Sequence, residues 1–144
     1  MCFLQVLLPT VNEIMSSLRP QMMTAALGCT FIVTSDGCIY VCGHGQDGRL
    51  GLGTVDHVII PRPIHLKVCI TKVASFYCGQ HALALTINGT VLSWGSNIYG
   101  QLGNGHCRYC VDVLLHYEGQ AYLSPSYFSS NNRPIYSLIY LSIK

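Results

Sequence analysis

The residues with the greatest chemical potential are cysteines and histidines. Cys107 and Cys110 stand at two-residue spacing with His106 and His116 nearby, which is half of a zinc signature. A four-ligand zinc site usually shows two such pairs, or one pair plus two spaced histidines. No metal is expected, and the two thiols read as free and partly exposed. Cys29, Cys69 and Cys78 flank apolar runs, and Cys38 and Cys42 share a strand, where a thiol serves as a small core residue. His44, His57 and His65 have no cysteine or serine beside them in a nucleophile setting, and a lone histidine is not a triad. The acids Glu13, Asp36, Asp47, Asp56, Asp112 and Glu118 are spread singly, so no pair divides acid and base roles. No catalytic residue, cofactor or small-molecule substrate is expected.

One motif could cradle a phosphate. Gly43-His44-Gly45-Gln46-Asp47-Gly48 fits Gly-x-Gly-x-x-Gly, which carries chemistry only when a helix leaves the turn and offers its N-terminus to the anion. Here Arg49-Leu50-Gly51-Leu52-Gly53 follows, and each glycine costs about 1 kcal/mol against alanine inside a helix. A second copy decides the matter. Shifted by 52 residues, residues 31–53 lie over residues 83–105 without a gap. Identities fall at Thr34/Thr86, Gly37/Gly89, Gly43/Gly95, Gly48/Gly100, Leu50/Leu102, Gly51/Gly103 and Gly53/Gly105, while Gly45 becomes Asn97. The dinucleotide pattern is a coincidence of one copy.

The elements that carry these glycines follow from local chemistry. Two apolar runs flank Asn88-Gly89, and two more flank Asp36-Gly37; such pairs suit the positive φ angles of a two-residue hairpin turn. Hairpins are expected at 31–42 and 82–94, with Val33 opposite Tyr40, Phe31 opposite Cys42, Leu85 opposite Leu92 and Leu83 opposite Trp94. The other faces, Ile32, Ile39 and Val41 or Ala82, Ala84 and Val91, are apolar as well, so each sheet must be covered on both sides, as stacked blades are. Each hairpin runs into a tight glycine bend anchored by a leucine, Leu50 or Leu102, tucked beneath it. Pro61-Arg62-Pro63-Ile64 belongs on an edge strand or connector because proline donates no ladder hydrogen bond. Residues 70–75 read as a further strand.

The stretch GQHALALTINGTVLSWGSNIYGQLGNG, residues 79–105, closely resembles the repeat of the regulator of chromosome condensation family. Gly79, His81, Leu85, Thr86, Gly89, Trp94, Gly95, Gly100, Gln101, Leu102, Gly103 and Gly105 carry the match. The first copy matches more loosely: Cys42 replaces the tryptophan, Arg49 the glutamine, and Thr30 stands near the histidine position. The resemblance implies four-stranded blades of a seven-bladed β-propeller, and a His81 ring bridging backbone groups between strands. The variant GRLGLG followed by IPRPI looks most like the propeller repeats of giant ubiquitin ligases that also carry a HECT catalytic domain. The resemblance is read over residues 23–106 and nothing outside.

The fold class that follows is all-β: a partial β-propeller of about two four-stranded antiparallel blades at 23–106. A short N-terminal segment at 1–22 has Val11, Ile14, Met15 and Leu18 at helical spacing, and an irregular, divergent tail fills 107–144. In that tail Arg133-Pro134-Ile135 echoes Arg62-Pro63-Ile64, either across an inserted stretch or by chance, with chance favoured. The 144 residues hold about two units, whereas seven such blades need about 360 residues and repeat stacks of fewer than about three units are usually unstable. The chain is therefore expected to be a piece or truncated product of a larger propeller protein. A hydrophobic fraction of 50%, with only 10% charged residues, agrees with faces meant for further blades.

Net charge is +2 with the eight basic residues scattered, so nucleic acid is an unlikely partner. The N-terminal MCFLQVLL lacks a basic region and cleavage site, and no apolar run reaches 18 residues, so neither secretion nor a membrane span is expected. The expected location is the cytoplasm or nucleus, the thiols reduced and the Asn88-Gly89-Thr90 sequon bare. Three functions compete: a non-catalytic module recruiting substrates or partners for a HECT-type ubiquitin ligase, part of a guanine-nucleotide exchange factor for a small GTPase, or a truncated product without independent function. Candidate partner-binding residues are those that differ between the two glycine loops: His44, Asp47 and Arg49 in one, Asn97, Tyr99 and Gln101 in the other. Gly43, Gly48, Leu50, Gly51, Gly53, His81, Trp94, Gly95, Gly100, Leu102, Gly103 and Gly105 are read as structural.

Overall fold

A computed structural model describes residue 13 and residues 16–26, 28–75, 80–102, 108 and 110–115. Eight strands form two four-stranded antiparallel sheets: β1 (Pro20–Ala26), β2 (Cys29–Thr34), β3 (Ile39–Gly43) and β4 (Val58–Ile64), then β5 (Ile70–Ser75), β6 (His81–Thr86), β7 (Val91–Gly95) and β8 (Cys110–Leu115). In each sheet the strands lie side by side in chain order. The two-proline strand β4 is an edge strand, as the missing donors require. Among the described residues no helix is long and apolar enough to cross a membrane. Residues 13 and 16–18 are helical; Val11, Ile14 and Met15 lie outside the described residues.

The hairpins form where expected but in a register one residue different. Val33 faces Ile39 and Phe31 faces Val41, while Leu85 faces Val91 and Ala82 faces Trp94. The turns explain it. Thr86 N–H donates to Thr90 C=O at 2.9 Å and Gly89 N–H donates back to Thr86 C=O at 3.1 Å; Thr34, Gly37 and Cys38 repeat the pattern at 2.9 Å for both bonds. Each loop thus has three residues and ends on a left-handed glycine, Gly37 at φ 80° or Gly89 at φ 83°. That is a type I turn with a glycine bulge, and its odd residue shifts the pairing of the whole strand.

The shift decides which side chains share a face. Phe31, Val33, Ile39 and Val41 lie together on one face of the first sheet, and Ala82, Ala84, Leu92 and Trp94 on one face of the second. These two faces form one buried core between the blades. Phe31 and Trp94 meet edge-on at 6.0 Å and 62°, a geometry that aligns ring edge with ring face. Small Ala82 and Ala84 leave room for the tryptophan. Strand β2 is covered on both faces, Ile32 as completely as its neighbours Phe31 and Val33.

Two expected boundaries move. Strand β1 starts at Pro20, inside the stretch assigned to the N-terminal segment, and β8 lies inside the stretch assigned to the irregular tail. The 52-residue shift runs on through β8. Gly43 pairs with Val58 and Gly95 with Cys110; Val41 pairs with Arg62 and Ser93 with Leu114. Leu114 therefore stands where the first blade has Arg62, so Arg133-Pro134-Ile135 is not the counterpart of Arg62-Pro63-Ile64, and their likeness is chance.

Candidate protein-interaction loops

The loops that follow β3 and β7 leave the blades through a glycine crossing. Gly43 has φ 115° and Gly95 φ 99°. A Cβ on Gly43 would lie 2.0 Å from the Gly28 carbonyl oxygen, and one on Gly95 would lie 2.4 Å from that of Gln80. Only glycine lets the strand end pass its neighbour at that distance. Beyond the crossing Leu50 and Leu102 are buried beneath their bends, as expected. Gly103 and Gly105 lie outside the described residues.

The first loop contains a single 3₁₀ turn at Gln46–Gly48, interrupted by the left-handed Asp47 at φ 58°. No helix rises from Gly48, so the loop offers no dipole to a dinucleotide, in line with the coincidence inferred from the repeat. Instead the loop serves the neighbouring blade. Trp94 Nε1–H donates to the Arg49 carbonyl at 2.9 Å, and a Cβ on Gly51 would press to 2.9 Å of the indole ring.

The six candidate binding residues divide evenly. Arg49 is buried: Nε–H donates to the Gln46 carbonyl at 2.8 Å, and its guanidinium pairs with Asp47 at 3.4 Å. Asn97 is wholly buried, and its Oδ1 accepts the Leu102 N–H at 2.8 Å. Gln101 is buried with Oε1 accepting the Tyr99 N–H at 2.8 Å. These three shape the loops from inside and do not offer their side chains to a partner. His44 is exposed, Asp47 is half-buried, and Tyr99 is 59% exposed. Beside Tyr99 stands Ile98, 57% exposed, which sequence reasoning missed. Its signal was an apolar residue where the first copy has Gln46. His44 packs edge-on against His57, ring centroids 4.6 Å apart, and His57 Nδ1 accepts the Gly45 N–H at 3.3 Å.

His81 departs from its expected bridging role. Its ring is buried with neither nitrogen hydrogen-bonded among the described residues, while its backbone pairs with Gly95 and its carbonyl also accepts from Ser75 Oγ–H at 3.1 Å. Burial without a partner disfavours the charged ring and holds its pKa at about 4. The register places Cys29, not Thr30, at the His81 position, since Cys29 faces Gly43 as His81 faces Gly95. Cys29 Sγ–H donates to the His44 carbonyl at 3.1 Å, and burial raises its pKa although nearby Arg49 pulls the other way.

Among the described residues no three His, Cys, Asp or Glu side chains gather as a metal site would require; His106, Cys107 and His116 lie outside them. Gly51 and Leu52 of the loop after β3, Pro63 and Ile64 of β4, His65 and Leu66 after it, and Val113 of β8 line an open cleft of about 300 Å³.

The model of the regulator of chromosome condensation (RCC1) repeat matches residues 36–85 and 88–133, and a second model of the same repeat matches residues 70–101. The match thus continues past residue 106, where the resemblance was expected to stop. The chain is 39% identical over 108 residues to the E3 ubiquitin-protein ligase HERC2 of Homo sapiens, covering 74% of this chain and 2% of that protein. It is 43% identical over 93 residues to the secretion-regulating guanine nucleotide exchange factor of Bos taurus, covering 62% of this chain and 19% of that protein. The chain therefore spans a small part of either relative. Among solved structures, human WBSCR16 superposes with a TM-score of 0.63 at 24% identity, over 68% of this chain and 25% of that one. Yeast RCC1 (Prp20), crystallised with Kap60, superposes with a TM-score of 0.61 at 19% identity, over 72% and 27%. With two blades in one repeat register and the repeat model matched along most of its length, the chain belongs to the regulator of chromosome condensation (RCC1) repeat family.

Proposed function

We propose that the chain is a non-catalytic protein-interaction segment of a larger β-propeller, one that recruits substrates or partners for a HECT-type E3 ubiquitin ligase in the cytoplasm or nucleus. One observation carries the propeller reading. The 52-residue shift maps Phe31, Val33, Ile39 and Val41, which the second blade covers, onto Leu83, Leu85, Val91 and Ser93. Leu83, Leu85 and Val91 are only half-buried, so this apolar face has the pattern of a blade seat without the cover its counterpart enjoys. A following blade would bring a tryptophan whose N–H meets the carbonyl of Gln101, the counterpart of Arg49. Partner contacts fall to the loop tips, His44 and Asp47 in one blade and Ile98 and Tyr99 in the next, because binding residues gather on loops held by a rigid scaffold. Support for the ligase reading comes from the identity to HERC2.

The identity to the secretion-regulating exchange factor favours a second reading, part of a guanine-nucleotide exchange factor. The two separate by experiment. Candidate ligase substrates are titrated against the chain alone and against a complete propeller containing it, and labelled-nucleotide release from a small GTPase is followed with both. The ligase reading expects substrate binding by the complete propeller only, weakened at least tenfold by Tyr99→Ala, with nucleotide release unchanged. Accelerated release by the complete propeller would replace it with the exchange-factor reading. Tight substrate binding by the isolated chain would overturn the need for further blades.

A further inference from the structure

The end of the blades opposite the glycine loops holds a second chemical feature. There the β2–β3 turn of the first blade docks on the connector that enters the second: Ile70 N–H donates to the Gly37 carbonyl at 2.8 Å, and Ile87 N–H donates to the Cys69 carbonyl at 2.9 Å. Cys69 is thus fixed between the two hairpin turns. A Cβ built on Gly37 would lie 2.6 Å from Cys69 Cβ, 3.1 Å from its Cα and 3.2 Å from its Sγ, so the Cys69 side chain rests against Gly37. Cys38 is the next residue. With consecutive Cα atoms about 3.8 Å apart, the two cysteine Cα atoms are held within about 8 Å, and a shift of about 1–2 Å at the turn tip reaches the range that a disulfide spans. Both thiols are free and exposed. Asp36 faces the pair, its carboxylate accepting from Cys38 Sγ at 3.7 Å.

We infer that Cys38 and Cys69 are a redox-responsive pair that a small disulfide such as oxidised glutathione converts into an intrachain disulfide joining the first blade to the connector of the second. The thiolate of one cysteine attacks a sulfur of oxidised glutathione, the glutathione S–S bond breaks, and one glutathione thiolate leaves. The second cysteine thiolate then attacks the protein sulfur of the mixed disulfide and expels the other glutathione. Two protein thiols are oxidised, one glutathione disulfide is reduced to two thiols, and the protons lost from the cysteines end on glutathione. Partial desolvation, the Asp36 carboxylate and the nearby Cys69 raise the Cys38 pKa, so its thiolate is scarce at neutral pH and exchange through it speeds up as pH rises. In the second blade Thr90 holds the Cys38 position, so the device belongs to this junction alone among the described residues.

The test equilibrates the full chain in buffers of oxidised and reduced glutathione, blocks remaining thiols by alkylation, and maps linked peptides by mass. The expected result is a chain about 2 Da lighter with residues 38 and 69 in one cross-linked peptide, and an effective concentration for their closure at least tenfold higher in the folded chain than in guanidinium. Cys38→Ser and Cys69→Ser should each abolish that peptide and leave a glutathione adduct on the remaining partner. Should a serine variant fail to fold, the linked-peptide map of the unaltered chain still decides. Stable glutathione adducts at both positions, a linkage of either cysteine to a third one, or equal closure in the folded and unfolded chain would overturn the inference.

Discussion

The two glycine loops share the crossing at Gly43 or Gly95, the left-handed Gly48 or Gly100 and the buried Leu50 or Leu102, and differ in what lies between. In the second, Asn97 sends its side chain inward to hold the Leu102 N–H. In the first, that position is Gly45, and a Cβ there would lie 1.9 Å from the Asp56 carbonyl oxygen: the returning main chain occupies the volume that the asparagine occupies in the other copy. His57, one residue on, accepts the Gly45 N–H. The frame is therefore set by the glycine crossing and the buried leucine, and each copy fills it with different groups. That leaves the tips free to diverge, polar at Gln46 and Asp47, apolar at Ile98 and Tyr99. Divergence at a fixed geometry is how one scaffold serves different partners.

The largest contrast between the blades sits at Trp94, whose counterpart in the first blade is Cys42. Trp94 is wholly buried between the sheets, while Cys42 is half-buried on the opposite side of the first sheet. Trp94→Ala should cost about 3–5 kcal/mol, since it removes a large core side chain and leaves a cavity; Cys42→Ala should cost no more than about 1 kcal/mol. Urea denaturation followed by circular dichroism measures both. Similar costs would mean that the inter-blade seat is not the core of the molecule.

Acid should separate the blades next. His81 titrates near pH 4 when folded and near 6.5 when unfolded, so the unfolded chain binds the extra proton first. Stability from this residue is present above about pH 6.5 and is lost as pH falls toward 4, by about 3 kcal/mol over the window. The first blade has Cys29 at this position, whose raised pKa keeps it neutral through acid and moves its sensitivity to the alkaline side: its contribution holds below about pH 9 and declines above it. His81→Phe should flatten the acid limb of a stability-versus-pH curve and leave the alkaline limb in place. An acid limb that survives the substitution would assign it to other groups.

The loop fillings predict a smaller effect. Asn97→Gly leaves the buried Leu102 N–H without its acceptor and opens a void, a loss of about 2 kcal/mol, and amide exchange at Leu102 should accelerate with it. Gly45→Asn cannot restore the other loop's arrangement, because the Asp56 main chain already stands there.

Much of this architecture was legible in the sequence because glycines that permit close crossings cannot be replaced without a clash, so a 52-residue echo of Gly43, Gly48 and Leu50 survives when the strands between have diverged. Register was not legible. Asn88-Gly89 suits a two-residue turn, yet the glycine is equally at home as the left-handed third residue of a longer loop, and only the Thr86–Thr90 hydrogen bond distinguishes them. Strand β8 was missed because its residues share no motif with β4, although the same 52-residue spacing predicts it. Among the loop candidates, Arg49, Asn97 and Gln101 are polar in a polar loop, and the direction of such a side chain depends on the path of the main chain around it. His44 and Tyr99 differ from them only in that direction.

The two hairpin turns give the finest comparison. Gly37 and Gly89 have nearly the same positive φ, so replacing either by alanine imposes the same backbone strain, about 1–2 kcal/mol. Their surroundings differ. Nothing lies within 4 Å of a Cβ on Gly89, whereas one on Gly37 meets Cys69 Cβ at 2.6 Å. Gly89→Ala should therefore show the strain alone, and Gly37→Ala the strain plus the displacement of the connector, a further loss of about 1 kcal/mol of the kind that overpacking brings. Cys69→Gly should relieve most of that excess in the Gly37→Ala chain, leaving the 3.1 Å approach to the position-69 Cα, and leave Gly89→Ala unaltered, so a double-mutant cycle isolates the side-chain contact. A coupling near zero between positions 37 and 69 would mean that the first blade's turn does not rest on the connector, and that the two hairpin ends are alike after all.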